Sequence, residues 1–186
     1  MRIISGNFKG KKILEPKDRA TRPLKDLAKE SIFNILIHTK KFNVEILNSK
    51  VLDLFSGVGS FGLECLSRGS EYLIFVENYK GVLPILKKNI NNINCQEKVL
   101  LIEKDLIKNF NFDIIKKKID IIFIDPPFKE KNLPLLITKI KESNILNSRG
   151  IIIIHRHKKE KDIFPESFNV LEKKFYGISK IIFGCF

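Results

Sequence analysis

Cysteine and histidine are scarce in this 186-residue chain, and the few present do not gather. Cys65, Cys95 and Cys185 are odd in number and far apart, with no Cys-x-x-Cys pair. That pattern implies three reduced thiols and argues against a zinc ribbon or a disulfide framework. His155 and His157 alternate at strand spacing, but no third ligand accompanies them, so no metal centre is expected. No apolar run is long enough to span a bilayer. The opening Met1-Arg2-Ile3-Ile4-Ser5-Gly6 lacks the long apolar stretch of a signal peptide, and a cytoplasmic location is the default expectation. Acidic residues are also in short supply: 21 Asp and Glu face 34 Lys and Arg, a net charge of +13. An anionic partner such as nucleic acid is one account of this excess. Solubility is the other, since 28 of the basic residues are Lys. Distribution favours the first account. Three of the six arginines (Arg2, Arg19, Arg22) lie in the first 22 residues, and residues 1–30 hold nine basic side chains against four acidic ones. Arg is the better fork for phosphate.

What is present has a clear order. Residues 2–14 read as strand, Gly-rich turn and strand, and Pro23 opens a helix whose Leu24, Leu27, Ile32, Ile35 and Leu36 form one apolar stripe. From Val51 onward strands and helices alternate. Strands are expected at 51–55, 72–76, 99–103, 119–125 and 150–155, and helices at 60–67, 79–93 and 133–143. The unbroken runs Ile121–Ile124 and Ile151–Ile154 suit strands covered on both faces. Segments 168–175 and 178–183, joined around Tyr176-Gly177, predict a terminal antiparallel hairpin. The fold class is therefore α/β, a doubly wound sheet.

The turn after the first inner strand is Asp53-Leu54-Phe55-Ser56-Gly57-Val58-Gly59-Ser60-Phe61-Gly62. Its Gly57-x-Gly59-x-x-Gly62 spacing fits a nucleotide-binding loop, and Glu77, ending the second strand, can accept from ribose hydroxyls. These features alone admit a nicotinamide or flavin dehydrogenase and an S-adenosylmethionine (SAM) enzyme. Asp53 tips the balance, because a carboxylate there repels a pyrophosphate but suits ammonium and sulfonium charges. Asp105, after the third strand, either accepts from an adenine amine or caps the turn beginning at Leu106. The cofactor set is Asp53, Phe55, Gly57, Gly59, Glu77, Asp105 and Leu106.

The fourth strand ends on Asp125-Pro126-Pro127-Phe128. Each Pro fixes its own φ and lacks an N–H, so the two carbonyls are expected to face outward without a paired donor. Carboxylate, rigid carbonyl and flat ring together suit a planar amine, gripped at its N–H groups and stacked on its face. An exocyclic base amine is a poor nucleophile, so orientation toward an activated methyl group is the main catalytic device. The base must leave its stack to reach such a site.

With these residues in place, the chain resembles the RsmD family, bacterial methyltransferases that modify guanine N2 in small-subunit (16S) ribosomal RNA. The resemblance runs through Arg2–Gly6 with Lys9-Gly10-Lys11, Thr21-Arg22-Pro23, Lys29–Asn34, the loop from Asp53 to Glu64, Glu77, Asp105, the diproline motif and Tyr176-Gly177. It implies a Rossmann-like SAM-dependent methyltransferase sheet over residues 46–186 and an RNA-facing extension, a β-hairpin and helix, over 1–45. It further implies catalytic roles for Asp125, Pro126, Pro127 and Phe128, RNA contacts from Arg2, Lys9, Lys11, Arg22 and Lys25, SAM as cofactor, and 16S rRNA in the small subunit or its assembly intermediate as partner of a monomer. Similar sequences usually follow Arg-Pro with Thr-Thr-Asp-Arg; here Leu24-Lys25-Asp26-Leu27 leaves Lys25 as a stand-in for the missing basic residue. Similar sequences often carry an acid at the end of the fifth strand; here His155-Arg156-His157 is expected to add attraction for phosphate. A DNA adenine-N6 methyltransferase shares the diproline site but needs a target-recognition region for which 186 residues leave little room. A ribosome assembly factor without catalysis is at odds with an intact site, and a dehydrogenase gives the diproline no role.

Overall fold

Continuous apolar runs in the second half of the chain become the inner strands of one sheet. The computed structural model describes residues 1–16, 24, 26–108, 110–127 and 130–186. Its elements are α1 (Asp26–His38), β1 (Lys50–Leu54), α2 (Ser60–Ser67), β2 (Tyr72–Val76), α3 (Leu83–Ile93), β3 (Val99–Ile102), β4 (Ile119–Ile124), α4 (Leu133–Glu142), β5 (Leu146–His157), β6 (Asn169–Tyr176) and β7 (Ser179–Cys185). The described strands lie in the order β3-β2-β1-β4-β5-β7-β6. β3 to β5 are mutually parallel, and β7 runs antiparallel between β5 and β6.

Alternation along each strand splits the core into two layers. Val51, Phe75, Phe123 and Ile153 face the layer that holds α1, α2 and α3; Leu52, Val76, Ile122 and Ile152 face the layer that holds α4. In the first layer Phe33, Phe61 and Phe123 stack in series, with centroids 5.3 and 4.1 Å apart. Ile3 and Ile13 of the N-terminal segment belong to the same layer.

The N-terminal hairpin forms as expected, with an antiparallel bridge from Arg2 to Lys12 and cross-strand bonds from the Ile3 N–H to the Lys11 carbonyl and from the Ile13 N–H to the Met1 carbonyl (both 3.0 Å). Its turn also docks on α2: the Asn7 N–H donates to the Ser67 carbonyl (2.7 Å) and the Phe8 N–H to Ser67 Oγ (2.9 Å). Three features depart from the sequence reading. α1 begins at Asp26, and Pro23 lies outside the described residues. α3 begins at Leu83 rather than Tyr79, because the backbone N–H groups of Asn78 and Tyr79 turn to the Glu77 carboxylate. β5 runs on to His157, because antiparallel β7 keeps pairing with it (His155 to Ile181, Arg156 to Lys180, His157 to Ser179) after β4 has ended.

β1 has β2 on one side and β4 on the other, so the strand order reverses beside it. The crevice beyond the carboxyl ends of β1 and β4 is where an open α/β sheet binds its ligands.

Candidate active site

A cleft of about 680 Å³ opens at that crevice, and Asp53, Glu77, Asp105 and Asp125 all line it. β1 delivers Asp53, which is buried beneath the glycine loop. Its Oδ2 accepts from the Gly62 N–H at 3.0 Å, tying the strand end to the first turn of α2. Its Oδ1 is buried with no hydrogen-bond partner. Burial pushes the Asp53 carboxyl well above the usual carboxylate range; the Gly62 bond opposes this, and the charges of Asp125 and Glu77 add to it. An orphaned carboxylate oxygen at the wall of a cleft is fitted to a cationic or N–H-bearing ligand, and SAM carries such groups.

The loop that follows is held in an unusual shape. Phe55 has φ +58°, a conformation that a bulky side chain adopts only where its surroundings impose it, and it lines the cleft. Gly59 has φ +82° and caps α2; a Cβ there would lie 2.6 Å from Leu86 Cδ1. Gly59 is thus a packing requirement behind the cleft, whereas Gly57 lines it. Glu77, buried at the end of β2, binds the loop directly: its Oε2 accepts from the Gly57 N–H at 2.7 Å, and its Oε1 from Asn78 and Tyr79 at 2.9 and 2.8 Å. Oε2 therefore retains a lone pair for a hydroxyl donor. Asp105 caps its own turn, with Oδ1 accepting from Ile107 and Lys108 at 2.8 and 3.2 Å, and it lines the cleft with buried Leu106.

The diproline segment lines the same cleft from the end of β4, the strand beside β1. The Asp125 N–H still reaches the Leu54 carbonyl at 3.3 Å, so its backbone continues β4, and Pro126 and Pro127 line the cleft after it. The two proline carbonyls are not alike. Pro127 O accepts from the Glu130 N–H (2.8 Å) and from Arg156 (3.4 Å), so it is paired inside the protein and does not face outward as expected. Phe128, Arg22 and Lys25 lie outside the described residues.

Near the end of β5, His155 lines the cleft and Arg156 holds the loop that follows the diproline, and sequence reasoning missed what both do. His155 Nδ1 lies 2.8 Å from Asp125 Oδ1, and its Nε2 lies 2.9 Å from Ser179 Oγ of β7. Arg156 is buried; it donates to the Glu130 carbonyl (3.0 Å) and to Asp162 (2.9 Å) as well as to Pro127. Neither side chain offers itself to phosphate, which corrects the expectation for this segment. The signal was present in the register: Ile124 pairs with Ile154, so the next residue of each strand falls side by side.

Of the basic residues expected to meet RNA, Arg2, Lys9 and Lys11 are all exposed in the N-terminal loop. Lys11 Nζ also reaches the Asn92 carbonyl (3.2 Å) and sits over the Phe8 ring. Among the described residues no group of three or more His, Cys, Asp and Glu is placed to hold a metal ion, and no helix is long and apolar enough to cross a membrane.

Comparison with known proteins places this geometry in a family. A family model described as "Conserved hypothetical protein 95" matches residues 1–184. "Ribosomal RNA small subunit methyltransferase D" of Haemophilus influenzae is 32% identical over 183 residues, spanning 96% of this chain and 90% of that protein. The crystal structure of a "putative methylase" from Haemophilus influenzae superposes with a TM-score of 0.72 at 31% identity, over 98% of this chain and 96% of that one. A "putative sam-dependent methyltransferase" from Streptococcus mutans shares the fold with a TM-score of 0.66 at 19% identity, over 84% of this chain and 48% of its own. The chain accordingly belongs to the family of that matching model, the RsmD family, and its fold is that of the SAM-dependent methyltransferases.

Proposed function

We propose that this protein transfers a methyl group from SAM to the exocyclic N2 of a guanine in the 16S RNA of the small ribosomal subunit. The observation that carries the reading is a single cleft that gathers the orphaned Asp53 oxygen, the glycine loop, Asp125 and the diproline. The names of the relatives support the substrate class.

In this reading Asp53, Glu77 and the turn at Asp105 and Leu106 hold the cofactor, with Phe55 and Gly57 against it. When bound, SAM supplies a methyl group already activated by its sulfonium charge. Asp125 and the Pro126 carbonyl accept the two N–H groups of the guanine amine and point its nitrogen at that methyl group. Phe128 supplies the stacking face. The amine nitrogen shares its lone pair with the ring, so holding it at reacting distance is the main contribution of these residues. Methylation leaves a surplus proton on that nitrogen, and Asp125 is placed to accept it. Residues 1–45 face the RNA with Arg2, Lys9, Lys11, Arg22 and Lys25, and residues 46–186 carry the chemistry.

The test is incubation with labelled SAM and small subunits from a strain lacking this methylation, followed by mapping of the label. Label in 16S RNA at one guanine N2 is the expected result, and Asp125→Ala is expected to abolish it while leaving SAM affinity largely intact. Label on duplex DNA instead would transfer the assignment to a DNA adenine methyltransferase, and absence of SAM binding would point to an assembly factor.

A further inference from the structure

The end of β5 touches the carboxylate that follows β4. β4 and β5 are parallel neighbours in register, Ile124 beside Ile154, so residue 155 is delivered next to Asp125. An isoleucine would continue the run Ile151–Ile154 there, yet the position holds a histidine that is 6% exposed. Burying an imidazole is costly unless both ring nitrogens find partners. Here Nδ1 meets Asp125 Oδ1 at 2.8 Å and Nε2 meets Ser179 Oγ at 2.9 Å.

We infer that His155, backed by Ser179, is a positioning residue for the base-binding carboxylate, fixing Asp125 so that its second oxygen is left for the guanine amine. The inference rests on the methyltransferase reading above and deepens it. A carboxylate is an acceptor only, so the imidazole donates Nδ1–H to Asp125 Oδ1, and the Ser179 hydroxyl donates to Nε2. This tautomer follows from the network of partners. The bond does two things. It locks the side-chain torsions of Asp125, which is partly exposed at the cleft wall and would otherwise sample several rotamers. It also occupies Oδ1, so an incoming N–H donor and the proton later shed by the amine are both directed to Oδ2. From Oδ2 the proton passes to solvent, and His155 ends the cycle as it began.

Arg156 belongs to the same arrangement on the opposite face of β5. It holds the carbonyls of Pro127 and Glu130, so consecutive strand residues fix the motif at its start and at its return.

The test compares His155→Leu, His155→Asn and Ser179→Ala with the parent protein, reading kcat, KM for SAM and for subunits, and thermal stability. His155→Leu is expected to lower kcat about 100-fold, the scale of a misplacement of about 1 Å in a reacting group, with both KM values within about twofold of the parent. His155→Asn places an amide N–H near the position of Nδ1 and is expected to recover most of that loss. Ser179→Ala is expected to lower kcat several-fold alone and to have no further effect on top of His155→Leu, as two members of one chain require. Wild-type kcat in His155→Leu would overturn the inference. So would equal losses in His155→Leu and His155→Asn that track their melting temperatures, since the ring would then be core packing only. Should His155→Leu fail to fold, Ser179→Ala decides, and an unchanged kcat there overturns the inference. A parent protein that leaves ribosomal subunits unlabelled sinks the methyltransferase reading and this inference with it, whereas an active parent with indifferent variants sinks this inference alone.

Discussion

Asp53 is maintained at a cost to stability. Its buried Oδ1 has no partner, and burial raises its pKa well above the usual range. A carboxyl that holds its proton more tightly in the folded chain than in the unfolded one contributes stability at low pH, and that contribution is lost as pH rises from the unfolded value through the raised folded one. At neutral pH the group therefore opposes folding. Asp53→Asn keeps an acceptor for the Gly62 N–H and removes the buried charge. Its melting temperature at pH 7 is expected to rise, by about 2–4 °C for each kcal/mol recovered, while SAM affinity falls at least about tenfold with loss of a charge-assisted bond. Calorimetry of both proteins from pH 5 to pH 8 checks this, and a variant that binds SAM as well as the parent would release Asp53 from its assigned role. Binding of a cationic ligand to the parent should also expel a proton wherever the raised carboxyl is still protonated, and this uptake by buffer should vanish in Asp53→Asn.

At the scale of elements, the return of the diproline loop depends on β5 and the segment after it. Arg156, Asp162 and Lys180 form a buried ion cluster; Lys180 Nζ pairs with Asp162 and donates to the Glu160 carbonyl at 2.6 Å. Arg156→Met leaves Asp162 with Lys180 alone. The expected cost is about 2–3 kcal/mol, just under the usual range for breaking a buried pair because one cation remains. Turnover should fall as well, because the carbonyls of Pro127 and Glu130 lose a shared donor. Denaturant unfolding and single-turnover rates measure the two effects, and unaltered stability would show that Lys180 suffices. These contacts mark the boundary of what was legible in the sequence. Strands buried on both faces announce themselves as unbroken Ile and Val runs, and four acids falling at strand ends could be assigned to one rim from topology alone. The functions of His155 and Arg156 could not, because they depend on cross-strand register and on a crossover loop reaching Asp162, and no local pattern encodes either. The N-terminal hairpin was legible from its local pattern, whereas the docking of its turn on Ser67 was not, because that contact joins segments about sixty residues apart.

Across the whole molecule, the basic N-terminal loop is fastened to α2, the helix that follows the glycine loop and lines the cleft with Ser60 and Phe61. Glu64, fully buried in α2, accepts from the backbone of Ile4 (2.7 Å) and Ser5 (3.0 Å) and from Arg68 (2.9 Å). Lys29 of α1, also fully buried, donates to the Arg2 carbonyl at 2.9 Å and faces Glu64 at 3.8 Å. Burial pulls the Lys29 pKa down, and Glu64 and Asp26 oppose that pull. The backbone carrying Arg2 and Lys9 is thus ordered before any RNA arrives, and those two side chains project from it exposed. Binding then loses little further chain entropy there, and each contact should register almost fully as electrostatic affinity. If Arg2 and Lys9 each neutralise one phosphate, Arg2→Ala and Lys9→Ala should each flatten the slope of log affinity against log salt by about 0.7–0.9. The double variant should flatten it by about twice that amount while leaving SAM affinity and melting temperature near parental values. Filter binding to 16S RNA over a salt series supplies the slopes. Parental slopes in both single variants would separate this loop from the RNA and reduce its charge to the lysine-rich bias of the chain as a whole.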